Sequence, residues 1–120
     1  MIDPEYLRDL FSSFGPIGIR RMFGGQGLYA DDLMFGLVAD GEIYLRADSL
    51  SEAAFAEEGS KPFTYPMRDR LAVLPYWRLP ETALDDPDAV AVWARRAREA
   101  ALRNRRPKKP PVAKKRARPS

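Results

Sequence analysis

The segment from residue 18 to residue 47 constrains the fold more than any other part of the chain. Large apolar residues recur at every second position over 33–37, and apolar residues alternate with Tyr44 and Arg46 over 43–47. Asp40-Gly41 between these stretches is a typical hairpin turn, since glycine readily takes the positive φ of a primed turn. Asp31-Asp32 marks an earlier tight turn. The segment therefore predicts an antiparallel meander with one buried face.

Two shorter stretches begin this meander. Ile19–Phe23 predicts a first strand. Gly27–Ala30 predicts either a second, short strand or the continuation of the first strand past a glycine bend. The meander therefore has three or four strands.

Three helices are predicted from capping residues and from apolar residues at helical spacing. They run from Asp3-Pro4 to Gly15-Pro16, over Leu50–Glu58 with Asp48 or Ser49 as the cap, and from Asp86-Pro87 to about Asn104. Val90, Trp93, Ala94, Ala97 and Ala101 form one apolar stripe on the last helix. Such a stripe indicates a helix that packs on the rest of the domain.

Two more strands are predicted between the second and third helices, over 63–67 and 71–79. Pro75 cannot donate to a ladder, so a sheet edge or a bulge is expected there. An exposed edge near Phe63–Leu79 would be open to pairing with a second copy of the chain. The order is one helix, three or four strands, a helix, two strands and a helix. This predicts an α+β fold with helices packed on a mostly antiparallel sheet.

The charges are strongly segregated along the chain. All 17 acidic residues lie at or before Glu99, whereas residues 103–120 carry nine Lys or Arg and no acid. Residues 1–102 therefore have a net charge of −6, and the pI of 9.4 describes the C-terminal segment. We predict one domain over residues 1–104 and a basic Pro/Lys/Arg tail over 105–120. The tail is expected to be disordered, because it has no apolar periodicity to bury.

The chain contains neither histidine nor cysteine. This excludes disulfides, thiolate nucleophiles and the catalytic and metal sites that need either residue. We expect a protein that is not an enzyme and that uses no cofactor. The N-terminus lacks the basic and apolar regions of a signal peptide, and no apolar run is long enough to span a membrane, so a cytoplasmic location is expected.

A series of ordered motifs carries a family resemblance. These are residues 21–29 (RMFGGQGLY), 31–37 (DDLMFGL), 43–46 (IYLR), 62–67 (PFTYPM) and 76–80 (YWRLP). Together they resemble the TfoX N-terminal domain family, over about residues 3–102. The resemblance implies a compact α+β fold in which the second helix divides the strands into two groups. It also implies a role in regulating competence through transcription, with no catalytic activity attached to the domain. The longer regulators have a further C-terminal domain, where this chain has its basic tail.

The glycine cluster has two interpretations, an anion-binding loop and a structural bend. Gly24, Gly25 and Gly27 could cradle an anion with their backbone N–H groups, assisted by Arg20 or Arg21. The segment precedes a strand and lacks the trailing Lys of a P-loop, so a bend or bulge is the structural alternative. Arg20 and Arg21 point to opposite faces of a strand and cannot both serve one site without a bulge. Pairing with Asp31, Asp32 or Glu42 is the ordinary alternative for these arginines.

The acidic and aromatic clusters have ordinary structural explanations as well. Asp31-Asp32 lies at a predicted turn and Asp85-Asp86-Asp88 at a helix start, where aspartate is favoured for backbone reasons. Four large aromatic residues could form a stacking platform for single-stranded nucleic acid, but core and edge packing is the expectation for an acidic domain. They are Tyr65, Tyr76, Trp77 and Trp93.

The basic tail is the remaining candidate site. Its charges can neutralise phosphates without reading bases, so any nucleic-acid contact would be non-specific. The residues concerned are Lys108, Lys109, Lys114, Lys115, Arg116 and Arg118. A merely solubilising tail and a tail docked on the acidic domain are the alternatives. The sequence thus predicts a regulatory or interaction domain with a protein partner, as a monomer or homodimer. A small-ligand domain centred on Gly24–Gly27 is the alternative function.

Overall fold

A computed structural model describes residues 2–22 and 24–105 as three helices packed on a single six-stranded sheet. In chain order the elements are α1 (Pro4–Leu10), β1 (Gly18–Met22), β2 (Gly25–Ala30), β3 (Leu33–Ala39), β4 (Glu42–Arg46), α2 (Glu52–Glu57), β5 (Pro62–Met67), β6 (Arg70–Arg78), a 3₁₀ turn (Glu81–Ala83) and α3 (Pro87–Arg103). The predicted α+β class is confirmed. The second helix divides the strands into a group of four and a group of two.

All neighbouring strands of the sheet are antiparallel, in the order β1-β2-β3-β4-β6-β5. β2 is a separate strand that pairs back on β1, not a continuation of it. Asp31 and Asp32 have φ of 53° and 63°, and Asp40 and Gly41 have φ of 52° and 76°. Two positive φ values in a two-residue loop are those of a type I′ turn, which matches the twist of a hairpin. Both predicted turns are therefore confirmed.

One face of the sheet forms the core together with α1 and α3. Leu28, Phe35 and Leu45 are fully buried on this face. The ring of Phe11, which follows α1, lies 5.6 Å from that of Phe35. Every residue of the predicted stripe on α3 is buried, which confirms the face that this helix presents to the sheet.

Two helices are shorter than the sequence predicts. α1 ends at Leu10, and the chain continues in turns to Gly15, whose φ of 136° only glycine tolerates. α2 begins after Ser51, so neither Asp48 nor Ser49 is the residue directly before the helix. Asp48 caps the turn that leads into α2, because its carboxylate accepts from Leu50 N–H at 3.1 Å and its carbonyl accepts from Glu52 N–H at 2.9 Å. The same carboxylate also binds side chains at the end of α3.

The β5–β6 pair contains the irregularity expected at Pro75. Its register shifts between Pro62 and Thr64, so Leu74–Tyr76 lie opposite the single residue Phe63. Pro75 also lies where β4 ends, because its carbonyl accepts from Ala47 N–H at 2.9 Å and β4 pairs only with the last three residues of β6. Both predicted features, a bulge and a sheet edge, are therefore observed. The missing N–H of Pro75 points to the side of β6 on which β4 ends.

β5 lies at the edge of the sheet, and its prolines alter that edge. Arg78 N–H donates to the Lys61 carbonyl at 3.0 Å, which places the backbone nitrogens of Pro62, Thr64 and Pro66 on the free side. Two of these three positions have no N–H to donate. This is a common way to blunt an edge strand, so backbone pairing with a second copy would have few donors here.

Gly25 allows β2 to approach β3 closely. A Cβ built on Gly25 would collide with the backbone carbonyl oxygen of Val38. Backbone cannot move aside as a flexible side chain can. Gly18, on the neighbouring strand, has only an ordinary contact of 3.7 Å between such a Cβ and Tyr29 Cβ.

We expect Gly25→Ala to lower the free energy of unfolding by about 1–3 kcal/mol, because the added methyl overpacks the β2–β3 ladder. Urea unfolding of the full chain measures this change. Gly18→Ala is the matched control and should change stability by less than about 1 kcal/mol. Equal effects of the two substitutions would contradict the close approach at Gly25.

The C-terminal end of α3 is fastened to the segment that follows β4. Asp48 accepts hydrogen bonds from Arg103 Nε at 2.8 Å, Arg103 Nη2 at 2.9 Å and Asn104 Nδ2 at 3.0 Å. Hydrogen bonds from Arg103 are the main reason why the pKa of the Asp48 carboxyl lies well below its usual value. Burial acts in the opposite direction and raises this pKa. The ionised form of Asp48 therefore stabilises the fold.

This contact predicts an acid-dependent loss of stability. A carboxyl whose pKa is lowered by folding stabilises the protein above its unfolded pKa of about 3.9, and this stabilisation declines as pH falls further toward the folded pKa. We expect Asp48→Asn to lower Tm at pH 7, with a difference from the parent chain that shrinks between pH 4 and pH 2. Thermal unfolding across this range measures it, with Asp69→Asn in the exposed β5–β6 turn as the control. A pH-independent difference would argue against the ion pair.

A candidate binding face on the sheet

The face of the sheet turned away from the helices carries the candidate site. Since side chains alternate along a strand, the residues next to buried Leu28 and Leu45 point to this second face. The strand register aligns five of its residues in one row across β1, β2, β3, β4 and β6. They are Arg20, Gly27, Leu37, Tyr44 and Arg78.

A cleft of about 560 Å³ lies on this side of the sheet. It is lined by residues 22, 24–26, 37–40, 63–66 and 74. Residues of both sheet edges, β1 and β5, thus meet at one cleft, which requires the sheet to curl toward them. The Phe63 ring, 4.8 Å from that of Tyr44, joins β5 to the central strands across the curl. We call this side the concave face. Asp40 is the only charged residue among those that line the cleft.

Beside the cleft lies an arginine–tyrosine cluster made of Arg20, Tyr29, Arg46 and Tyr76. The Arg20 guanidinium is 4.6 Å from the centroid of the Tyr29 ring, and that of Arg46 is 5.8 Å from the centroid of the Tyr76 ring. These distances are those of cation–π pairs. Arg46 and Tyr76 are direct cross-strand partners on β4 and β6.

Gly27 makes room for the cluster and connects it to the cleft. A Cβ on Gly27 would lie 2.9 Å from a Tyr29 ring carbon and 2.9 Å from the Met22 sulfur. The Tyr29 ring therefore lies across the glycine, next to Met22, which lines the cleft. The cluster and the cleft form one continuous surface.

Two tyrosines of this face, Tyr44 and Tyr76, have raised pKa values and are protonated at neutral pH. Burial raises the pKa of Tyr76, and the nearby Arg46 guanidinium offsets this only in part, while Tyr29 adds to the rise. Burial also raises the pKa of Tyr44, with the charge of Glu42 as the next cause. Protonated phenols can donate hydrogen bonds, so the concave face offers hydroxyl as well as guanidinium donors.

The predicted anion loop is divided between two sides of the sheet. Gly24 and Gly25 line the cleft, whereas Arg21 lines a separate hollow beside α1. Arg20 is on the concave face and pairs with Asp32 at 3.7 Å, as the ordinary alternative predicted. Close packing at Gly25 and Gly27 and the φ of 78° at Gly24 explain these three glycines, and anion binding by the loop stays a prediction.

The acidic clusters have structural partners. Asp31 accepts from Arg98 at 2.8 Å, and Asp86 caps α3 by accepting from the backbone of Asp88 and Ala89. Over residues 2–22 and 24–105, the structure groups no three acidic side chains in a way that could hold a metal ion.

The four aromatic residues considered as a stacking platform lie in different parts of the fold. Trp77 and Trp93 both pack on Phe55 in the core, as expected. Tyr65 is 56% exposed on β5, and Tyr76 lies in the cluster. The sequence analysis missed Tyr29, Tyr44 and Arg46 as site residues. The alternation of Tyr44 and Arg46 with buried Ile43 and Leu45 signalled a shared outer face, but the pairing of β4 with β6 was needed to add Tyr76.

The predicted tail residues Lys108, Lys109, Lys114, Lys115, Arg116 and Arg118 lie outside the described residues. None of the helices in the described part of the chain is long and apolar enough to cross a membrane.

Comparison with known proteins identifies the family. The family model of the TfoX N-terminal domain matches residues 9–101, which is well over half of the chain. DNA transformation protein TfoX1 of Aliivibrio fischeri is 34% identical over 84 residues, covering 67% of this chain and 40% of the relative. Protein Sxy of Escherichia coli K12 is 37% identical over 78 residues, covering 65% of this chain and 35% of the relative. The match thus spans less than half of either relative. The chain belongs to the TfoX N-terminal domain family.

Proposed function

We propose that this chain is a regulatory domain that acts in DNA transformation by binding a protein partner on its concave face. The observation that carries the proposal is the cleft of about 560 Å³, continuous with a cluster of guanidinium and hydroxyl donors, in a domain of this family. Clefts with an apolar lining and a few convergent polar groups are the usual form of a binding site.

The link to transformation comes from the relatives. One of them is named a DNA transformation protein, and its identity to this chain extends over most of the folded domain. The match covers 40% of that protein. We therefore propose a role in transformation only for the domain that the two proteins share. More specifically, we propose that the domain acts in transformation through the control of transcription.

Binding is proposed here in preference to catalysis. The chain has no histidine or cysteine to serve as a base or nucleophile near neutral pH. Tyr44 and Tyr76 on the concave face have raised pKa values and stay protonated at neutral pH, so they suit recognition of a ligand better than proton transfer.

The β5–β6 arm supports a protein partner. It extends past the end of β4, which pairs with only the last three residues of β6. Tyr65 and Met67, which share one face of the arm, are 56% and 43% exposed. Exposed apolar and aromatic side chains beside a cleft are typical of a surface that another protein covers.

We expect loss of the gene from the organism that carries it to lower transformation frequency, and the full chain to restore it. Tyr65→Glu, which places a charge at the cleft, should not restore it. Leu71→Glu is the matched control, since Leu71 and Tyr65 point to opposite faces of the same arm and both are exposed. Transformation frequency and protein level are measured together. An unchanged frequency on gene loss would refute the regulatory role, and equal failure of both variants would refute the assignment to the cleft.

We further propose that the basic tail makes a non-specific nucleic-acid contact. Nine Lys or Arg between residues 103 and 120, with no acid, can neutralise phosphates and release counterions. The folded domain would then supply the specific contact through its protein partner.

We expect fluorescence anisotropy to show that the full chain binds a labelled DNA or RNA oligonucleotide at low salt, with affinity falling as salt rises. A truncation after Asn104 should bind neither. Equal binding by the truncated chain would move the contact to the folded domain, and no binding by either would end the nucleic-acid proposal.

A further inference from the structure

Arg46 has an unsatisfied donor at the centre of the cluster. Its Nε atom is buried, and no hydrogen-bond partner for it lies among the described residues. A buried, unpaired donor on a charged group costs free energy, so a partner such as water, an ion or a ligand group is expected there. The Arg46 guanidinium lies 5.8 Å from the centroid of the Tyr76 ring.

The other arginines of the concave face differ from Arg46. Arg78 pairs with Glu42 and Glu81, and Arg20 pairs with Asp32. Arg46 has no carboxylate within 4.0 Å in the part of the chain that the structure describes. Its charge is therefore available to an acid from outside.

We propose that Arg46, together with Tyr76, receives a carboxylate from an extended peptide segment of the partner protein, whose neighbouring apolar side chain fills the cleft. Guanidinium groups bind carboxylates with two parallel hydrogen bonds, and tyrosine hydroxyls can donate to the remaining oxygen lone pairs. The inference rests on the proposed function for the claim that the ligand is a protein.

The surroundings favour a single carboxylate over a polyanion. The cleft has no basic residue in its lining and one acidic residue, Asp40. Asp32 and Glu42 lie at the arginines of the same face. Successive phosphates of a nucleic acid would meet these three acids, whereas one side-chain carboxylate at Arg46 would not.

The cleft next to the cluster is where the apolar side chain of the ligand would bind. A Cβ on Gly27 would lie 2.9 Å from both the Met22 sulfur and a Tyr29 ring carbon, so these two side chains lie over Gly27. Met22 also lines the cleft. Tyr44, two residues from Arg46 on the same face of β4, pairs with Leu37, and its ring lies 4.8 Å from that of Phe63. An extended chain can therefore place an acidic residue at Arg46 and an apolar residue against Leu37 and Phe63.

The test is a ¹H–¹⁵N NMR titration of the full chain, observing arginine Nε–H and backbone amide signals. The probes are the acetylated peptide amide leucyl-glutamyl-leucine, its glutamine counterpart, and dimethyl phosphate as the mimic of a nucleic-acid backbone. We expect the glutamyl peptide to shift the Arg46 Nε–H signal and the amides of Leu37 and Phe63. The glutamine peptide should bind about tenfold more weakly, because the charge-assisted hydrogen bonds are lost.

Substitutions separate the site from general charge effects. Arg46→Met should abolish the shifts, Tyr76→Phe should weaken glutamyl-peptide binding severalfold, and Arg21→Met on the other side of the sheet should change nothing. Tyr76→Phe keeps the ring and so provides a test even if Arg46→Met does not fold.

Three outcomes would overturn the inference: equal binding of the two peptides, stronger binding of dimethyl phosphate than of the glutamyl peptide, or no shift at Arg46. Each of these leaves the transformation phenotype of the gene deletion unaffected, so failure of this inference is distinguishable from failure of the proposed function. Conversely, peptide binding at Arg46 without a transformation phenotype would retain the site and reject the regulatory role.

Discussion

Burial of one face of the meander under α3 is the constraint on which the rest of the structure depends. Side chains alternate along the regular strand β4, so fixing Ile43 and Leu45 in the core also fixes Tyr44 and Arg46 on the other face. A slip of one residue would bury the arginine and expose the leucine. The residues of the candidate binding face on this strand are thus a direct consequence of core packing.

The shape of that face depends on positions where the ladder is tight or irregular. Gly25 and Gly27 let β2 approach β3 and let the Tyr29 ring lie across the strand. The register shift that includes Pro75 occurs where β6 leaves β4 and continues with β5 alone. Bulges increase local twist and bend a strand. Together these features curl the sheet so that its two edges line one cleft.

The charges of the domain have two different roles. Several ion pairs tie elements together, as Asp48 does with Arg103 at the end of α3 and Asp31 with Arg98. Arg46 differs because it is partly enclosed and has no acidic partner within the described residues. In a domain whose first 102 residues carry a net charge of −6, the proposed recognition of a carboxylate rests on this partly enclosed arginine without an acidic partner.

The sequence by itself determined the α+β class, the two tight turns and the buried stripe of α3, and it limited Pro75 to a sheet edge or a bulge, because each depends on local periodicity or backbone chemistry. It also carried the motifs of the family. Only the tertiary structure decided that Asp48, besides its local contact with Leu50, binds Arg103, since the two residues are 55 positions apart in the sequence. It alone brought Arg46 beside Tyr76 and β5 opposite β1, because pairing between distant strands and sheet curvature have no local sequence signal.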